Sequence, residues 1–256
     1  MEPIRYGYGP NPSQYAQLYL PAEPRRAVVV IVHGGYWRAR YTAELGQPAA
    51  LDLAARGWAC WNLEYRRAGN GGGWPGTFED VAAGIDALAG AAVEHGLALD
   101  AVVGLGHSAG GQLAAWAAGR GGLPAGSAGA DPVVPLTAVL SQAGVLDLRR
   151  AWELGLSDQA VRNFLGCGPE DEPNRFALAD PMRRLPLPVP VYAFHSRQDE
   201  AVPFELSERY VAAARAAGGR AELVPVPGGH MDLIDPASPA FESVRGVLGR
   251  LDPGPS

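Results

Sequence analysis

The chain has 256 residues, a formal net charge of −6 and 47% hydrophobic residues, as expected for an ordinary globular protein. The acidic balance argues against a nucleic-acid partner, which would require a basic patch. No apolar stretch approaches the roughly 18 residues of a membrane span. Lysine is absent, which excludes Schiff-base, P-loop and S-x-x-K acylation chemistry.

Cys60 and Cys167 are the two cysteines, and their spacing excludes a zinc site, so we expect two free thiols in a reducing cytoplasm. The start of the chain, MEPIRYGYGP, lacks the apolar segment of a signal peptide. We expect no cofactor and no metal. We also expect no membrane or nucleic-acid partner, and the sequence leaves a homodimer open.

Strand-like and helix-like segments alternate along the chain. Apolar runs of strand length lie at 27–32, 58–63, 101–105, 136–140, 189–194 and 221–226. Helical patterns lie at 42–56, from a capping box at Thr77-Phe78-Glu79-Asp80 to residue 92, at 111–118, at 206–217 and at 241–251. This alternation predicts one α/β domain over 1–256, with a mostly parallel central sheet flanked by helices. The end of the chain, 252–256, is expected to fray.

One segment, 148–187, interrupts the alternation with only short helical patterns between two predicted strands. Because it follows the carboxyl end of a strand, it should lie over the ligand side of the sheet. We therefore predict a small cap over the site, and an ordinary surface excursion is the alternative.

The pentapeptide Gly106-His107-Ser108-Ala109-Gly110 has the pattern G-x-S-x-G. It lies between a predicted strand and a predicted helix, which is the context of a nucleophile elbow. A sharp strand-to-helix turn projects the serine hydroxyl from the sheet, and the glycines permit the close approach of neighbouring backbone. The sequence therefore predicts Ser108 as a nucleophile.

A serine hydroxyl needs a base, and the five histidines differ in position. His107 precedes the serine on the turn, so its side chain should point away from the hydroxyl. His33 opens a Gly-rich turn, His95 ends a helix, and His195 lies only four residues before the best acid candidate. His230 follows the last predicted strand in a Gly-rich loop, where a mobile base belongs, and we predict it as the general base.

The acid that orients the base should lie between nucleophile and base in the chain, since nucleophile-elbow enzymes run Ser…Asp/Glu…His. Asp199 follows a predicted strand and fits this order, with Glu200 as the adjacent alternative. Asp147, after the preceding strand, is a less common location for the acid. Asp232 and Asp235 lie so close to the histidine in sequence that they suit capping of its loop.

An acyl-transfer site also needs two N–H donors that face the developing oxyanion. One donor is the N–H of Ala109, directly after the nucleophile. The other should come from the turn His33-Gly34-Gly35-Tyr36-Trp37, where two glycines free the backbone to direct its N–H groups inward. The predicted donor in this turn is Gly35 or Tyr36.

These residues together resemble those of the α/β-hydrolase superfamily, in particular the esterase and lipase group with an HGG-type oxyanion loop. Within that group, the HGGYW turn resembles the signature of arylformamidases, also called kynurenine formamidases. The resemblance runs from Tyr8-Gly9-Pro10-Asn11-Pro12-Ser13-Gln14 to the histidine loop. It implies a triad of Ser108, Asp199 and His230, with an oxyanion hole surrounded by Gly34, Gly35, Tyr36 and Ala109.

The predicted function is hydrolysis of small carboxylic esters through an acyl-enzyme, with a small-molecule ester or amide as substrate. An arylformamidase acting on N-formylkynurenine-type formamides is the alternative. A peptidase and a non-catalytic binding module are further alternatives. Bulky aromatic side chains beside the site, Tyr36, Trp37 and Trp74, are expected to leave room only for a small acyl group. Trp37 and His107 are expected to line the substrate pocket.

Overall fold

The structure is a computed structural model that describes residues 1–22 and 27–252, so most of the predicted frayed end lies outside the described residues. Within those ranges the strands, in chain order, are β1 (Ile4–Gly7), β2 (Tyr15–Tyr19), β3 (Ala27–Val32), β4 (Ala59–Leu63), β5 (Ala101–His107), β6 (Ala138–Gln142), β7 (Val191–His195) and β8 (Ala221–Pro225). They form one sheet in the order β1-β2-β4-β3-β5-β6-β7-β8. β2 pairs antiparallel with β1 and β4, and the remaining neighbours are parallel.

The helices that connect the strands are α1 (Gln47–Ala55), α2 (Gly76–Asp86), α3 (Leu88–His95), α4 (Ala109–Ala118), α5 (Leu148–Glu153), α6 (Leu156–Leu165), α7 (Pro173–Ala179), α8 (Glu205–Ala216) and α9 (Pro239–Leu251). Short 3-10 helices lie at Ala43–Gly46, Arg120–Gly122, Pro181–Arg184 and Met231–Ile234. Throughout the described ranges, every helix is too short or too polar to cross a bilayer.

Both faces of the sheet are covered. The side chains of β3 alternate between them, so that Val28 and Val30 pack with α2 and α4 while Val29 and Ile31 pack with α1 and α9. Burial on both sides explains why this strand is a continuous apolar run and not an alternating one. The prediction of a mostly parallel sheet flanked by helices is confirmed.

The structure corrects the predicted elements in four places. The single helix predicted from the capping box to residue 92 is two helices, α2 and α3, which Ala87 separates. The antiparallel strands β1 and β2 were not predicted, because β1 has four largely exposed residues and little apolar signal. The strand predicted at 136–140 lies at Ala138–Gln142. The predicted capping box is wrong, because α2 begins at Gly76 and Thr77 lies inside it, where its hydroxyl donates to Arg66 O at 2.6 Å.

The segment 148–187 packs tightly on the α4 face of the sheet. Gln112 and Trp116 of α4 donate side-chain hydrogen bonds to the carbonyls of Ala179 and Leu178, at 2.9 and 3.1 Å. The fully buried Asp180 accepts backbone N–H groups from both α5 and the 3-10 helix that follows it. A covering role over the site stays a prediction.

The turn between β5 and α4 depends on contact between backbones. A Cβ built on Gly110 would lie 2.0 Å from the carbonyl oxygen of Val32 in β3, and one on Gly106 would lie 2.2 Å from Gly110 O. Between these glycines, Ser108 has φ 54° and ψ −118°, which is unfavourable for a residue with a Cβ. The two glycines therefore hold α4 against the sheet at the point where the serine is strained.

We expect Gly110→Ala to lower the free energy of unfolding by about 2–3 kcal/mol or more, because the new methyl group would overlap a strand backbone that cannot move aside. Gly246→Ala is the matched control. It lies in α9 with no neighbour within 4 Å of its built Cβ, and it should stabilise by about 0.5–1 kcal/mol. Urea unfolding measures both. Equal stabilities for the two variants would contradict the packing role of Gly110.

Burial raises the pKa of Asp180 to about 7, and the nearby charge of Asp147 adds to this effect. The folded chain thus holds this proton more tightly than the unfolded chain, whose Asp has a pKa near 4. The resulting stabilisation is full below that value and is lost as the pH rises to about 7.

Asp180→Asn removes this titration. The melting temperature of the wild type minus that of the variant should therefore decrease as the pH is raised from 4 to 8. The exposed Asp100→Asn serves as the control and should show a constant difference. A pH-independent difference for Asp180→Asn would show that the carboxyl does not titrate in this range.

Candidate active site

Backbone hydrogen bonds to β6 and to the loop after it fix Ser108 at the carboxyl end of β5. Its N–H donates to Gln142 O of β6 at 2.8 Å, and its carbonyl accepts from Val145 N at 3.2 Å. The hydroxyl oxygen is buried and has no hydrogen-bond partner among the described residues. The hydroxyl therefore makes no hydrogen bond to His230 in this structure, and the serine–histidine contact of a triad stays a prediction.

The predicted acid and base lie in contact. His230 Nδ1 is 2.7 Å from Asp199 Oδ2, and the Asp199 side chain is fully buried while that of His230 is 14% exposed. The other oxygen, Oδ1, accepts the N–H groups of Ala201 and Val202, each at 2.8 Å. The carboxylate can therefore only present Oδ2 to the histidine, which then carries its hydrogen on Nδ1 and leaves Nε2 free to accept.

Hydrogen bonding sets the charge of Asp199. Burial opposes ionisation, but hydrogen bonds from His195, His230 and the N–H of Val202 outweigh it and hold the pKa of this carboxyl well below its ordinary value. Asp199 is thus an anion at neutral pH, which suits a group that must stabilise a transient imidazolium.

The alternative acids lie elsewhere or have other partners. Glu200 is exposed. Asp147 caps α5 and pairs with Arg209 at 3.1 Å. Asp232 accepts the N–H of Gly229 at 2.5 Å, and Asp235 accepts that of Ala237 at 2.9 Å, so both cap the histidine loop. The geometry therefore favours Asp199.

The loop that carries His230 is joined to the serine turn and to the acid loop. His107 Nε2 donates to the carbonyl of His230 at 3.0 Å, and the two rings lie with centroids 4.5 Å apart. The hydroxyl of Ser196, beside Asp199, donates to Gly228 O. These bonds bring the three predicted triad residues to one end of the sheet.

The HGG turn lies directly against the serine. A Cβ built on Gly34 would be 2.9 Å from His107 Nδ1 and 3.1 Å from Ser108 Cβ. Gly35 has φ 109°, which glycine allows without strain, whereas Tyr36 and Trp37 have φ 50° and 55°, which are unfavourable for residues with a Cβ. Ala109 begins α4, where the first N–H groups lack intrahelical acceptors. Gly34 and Ala109 thus lie at the serine turn, and the oxyanion-hole role of these two residues, Gly35 and Tyr36 stays a prediction.

Two residues predicted to line the pocket lie inside the protein. Trp37 is fully buried, stacks on Phe164 with centroids 4.5 Å apart and donates from Nε1 to Gln112. His107 is buried, and this burial lowers its pKa to about 3. Trp37 therefore supports the HGG turn from within the core, whereas His107 borders a small, largely enclosed cavity of about 10 Å³. Trp74 packs edge-on against Phe78 and is only partly exposed.

The sequence interpretation missed a buried polar cluster beneath the HGG turn. Glu64 and Arg67 form an ion pair in which both side chains are 2% exposed, and Arg67 lies 3.3 Å from His33 Nε2. Tyr65 stacks on the His33 ring and donates to His33 O at 2.7 Å. Charged residues directly after the buried strand β4 were the available signal.

An open depression of about 850 Å³ adjoins the candidate base. Its walls are the two loops that follow β7 and β8, and it is lined by Gln198, Glu200, Ala201, Gly228, Gly229, His230, Met231 and Asp232. Groups of three or more side chains that could hold a metal ion do not occur in the described part of the chain.

Comparison with solved structures gives the same fold. A carbohydrate esterase from gut microbiota, studied in truncated form, superposes with a TM-score of 0.84 at 20% identity, over 98% of this chain and 97% of that one. An esterase from Thermogutta terrifontis, Est2, superposes with a TM-score of 0.75 at 24% identity, over 97% and 91%. At these identities the likeness concerns the fold.

Among curated proteins, the esterase LipC of Mycobacterium tuberculosis is 28% identical over 248 residues, which is 90% of this chain and 60% of LipC. The chain thus spans about 60% of the length of this relative. None of the three relatives named is an arylformamidase, so that resemblance is unsupported.

The BD-FAE family model matches residues 16–213. The match includes Ser108 and Asp199 and ends before His230, whose place in the site comes from the geometry alone. Since the match covers well over half of the chain, the chain belongs to the BD-FAE family, and its fold is that of the α/β hydrolases.

Proposed function

We propose that this chain is a serine hydrolase that cleaves small carboxylic esters through an acyl-enzyme. The observation that carries the proposal is the 2.7 Å contact between His230 Nδ1 and Asp199 Oδ2, beside a strained turn that presents Ser108. Membership of the BD-FAE family and the esterases among its relatives support it.

In the first half of the reaction, Ser108 Oγ attacks the ester carbonyl and His230 Nε2 takes the hydroxyl proton. Asp199 holds His230 in the required tautomer and stabilises the imidazolium that forms. The N–H of Ala109 and an N–H of Gly35 or Tyr36 stabilise the oxyanion. Each of these donors lowers the activation free energy by roughly 2.7–4 kcal/mol.

His230 then gives its proton to the leaving alcohol, and the carbon–oxygen bond to that alcohol breaks. This step leaves the acyl group on Ser108. A water molecule attacks the acyl-enzyme while His230 takes one of its protons. Collapse of the second tetrahedral intermediate releases the carboxylic acid and restores the serine hydroxyl.

The surroundings of the two reacting groups differ, and this difference supports a small acyl group. The Ser108 hydroxyl is buried, whereas His230 borders an open depression with polar walls. The leaving alcohol can lie in the depression, because the depression borders His230, which protonates the alcohol oxygen. The carbohydrate esterase among the structural neighbours makes sugar hydroxyls a suitable class of leaving group to test.

Ser108→Ala should reduce turnover of p-nitrophenyl acetate by at least about 10⁴-fold, since loss of the nucleophile removes the function of the whole triad. Ser141→Ala is the matched control. Ser141 is also a buried serine near the sheet top with an unpaired hydroxyl, and its loss should leave turnover within about twofold.

The covalent step is tested with an organophosphate such as paraoxon. Intact-protein mass spectrometry should find one diethylphosphoryl group on the wild type and on Ser141→Ala, and none on Ser108→Ala. Wild-type turnover by Ser108→Ala, or an adduct on that variant, would overturn the proposed function.

Within a series of p-nitrophenyl esters, kcat/KM should be highest for acetate and should fall by about tenfold or more by octanoate, because each misfitting methylene has an energetic cost in a closed pocket. N-formylkynurenine should be hydrolysed near the background rate. A preference for the long chain, or efficient hydrolysis of the formamide, would assign the site to a different substrate class.

A further inference from the structure

We propose that His195 is a positioning residue for Asp199, so that the acid of the triad is held by a second histidine besides the base. The proposal rests on the proposed function and adds a residue to its machinery. It also explains why a polar ring lies fully buried at the end of β7, with no solvent and no substrate to contact.

Both nitrogens of His195 have partners. Nε2 lies 2.9 Å from the carbonyl oxygen of Val202 and 3.4 Å from Asp199 Oδ2. Nδ1 lies 2.7 Å from the hydroxyl of Ser207, in the first turn of α8. The ring therefore spans from the acid loop to the helix that follows it.

These partners fix the tautomer of His195. Nε2 faces a carbonyl and a carboxylate, which only accept hydrogen bonds, so Nε2 carries the hydrogen. Nδ1 is then the acceptor, and the Ser207 hydroxyl donates to it. Ser207 thus ties the ring to α8 through Nδ1.

Val202 transmits this constraint to the acid. Its N–H donates to Asp199 Oδ1 at 2.8 Å, while its carbonyl accepts from His195. The neighbouring Ala201 is held in the same way, with its N–H on Oδ1 and its carbonyl bonded by the Tyr36 hydroxyl. The loop is therefore tied on both sides, and Oδ2 is the oxygen left for His230.

His195 also acts on Oδ2 directly. The positive end of its N–H dipole faces the same oxygen that receives the hydrogen bond of His230. Of the titratable groups around the ring, Asp199 is in contact, and His230 and His107 lie beyond it. Phe204 packs edge-on at 5.4 Å with the Arg197 guanidinium over its outer face, which keeps water away.

Two consequences follow from loss of this N–H. The loop that carries Asp199 loses one of its ties, so kcat should fall while KM, which reflects substrate contacts, stays nearly constant. In addition, Oδ2 presents more negative charge to His230, which favours the imidazolium form. The acidic limb of the pH profile of kcat/KM should therefore move to higher pH.

The test compares His195→Phe, which keeps a ring without a donor, with His195→Gln, whose amide N–H can reach the same acceptors. For His195→Phe we expect kcat for p-nitrophenyl acetate to fall about 10–100-fold, the range seen when an orienting partner is lost. KM should stay within about twofold, and the acidic limb should move up by about half a pH unit. His195→Gln should restore most of kcat and the position of the limb.

Ser207→Ala provides a milder change in case His195→Phe fails to fold. It removes the hydroxyl that ties the ring to α8 at Nδ1, and it should lower kcat about threefold to tenfold with the same direction of shift. Ser243→Ala is its control, because Ser243 is also a helical serine and its hydroxyl bonds a carbonyl of its own helix at 3.3 Å. This control should match the wild type.

A folded His195→Phe, or a Ser207→Ala, with wild-type kcat and an unmoved acidic limb would overturn the proposal. So would a loss of kcat in His195→Phe with an unmoved limb and no rescue in His195→Gln, which is the result of a purely structural role. The Ser108→Ala measurement separates the two proposals. If that variant is inactive and the His195 and Ser207 variants behave as wild type, only the role of His195 fails.

Discussion

The strained backbone at Ser108 is the constraint on which the rest of the site depends. A residue with a Cβ at φ 54° costs of order 1–3 kcal/mol, and it persists only where its surroundings determine it. Here the surroundings are backbone atoms of β3 and β6, which lie in a sheet buried on both faces. The centre of the sheet therefore holds the elbow in place. The turns that carry the other predicted site residues must fit against this fixed backbone.

The HGG turn is held against the elbow by a buried polar cluster whose side chains bond to one another, although Arg67 Nε has no partner among the described residues. Burial and the charge of Arg67 lower the pKa of His33 to about 3, so its ring is neutral, with Nε2 accepting from Arg67 and Nδ1 donating to Gly34 O at 2.8 Å. The carbonyl of Gly34 and the N–H of Gly35 belong to one peptide group and point in opposite directions. The hydrogen bond from His33 to this carbonyl therefore fixes the direction of the Gly35 N–H. The buried Glu64–Arg67 pair thus orients a main-chain donor, which is a use for an ion pair that gives little net stability.

The sequence was informative wherever the signal is local. The continuous apolar run of β3 and the G-x-S-x-G turn each depend on neighbouring residues, and the chain order of serine, acid and histidine follows from the topology. The roles of Thr77, Trp37 and His107 could not be predicted, because their partners lie far away in the chain. Trp37 lies inside because a left-handed turn directs its ring onto Phe164. The Thr77 hydroxyl donates a hydrogen bond to Arg66 O and does not cap the helix.

Ser108 is buried and His230 borders the open depression, and this difference separates the two parts of the proposed reaction. The serine and the oxyanion turn lie where water is excluded, and there the N–H groups act on the developing charge with little screening. His230 lies at the boundary, 14% exposed, with the fully buried Asp199 behind it. In the proposed reaction, His230 gives a proton to the leaving alcohol and later takes one from the incoming water. The depression beside His230 can therefore serve as the route by which the alcohol leaves and the water enters.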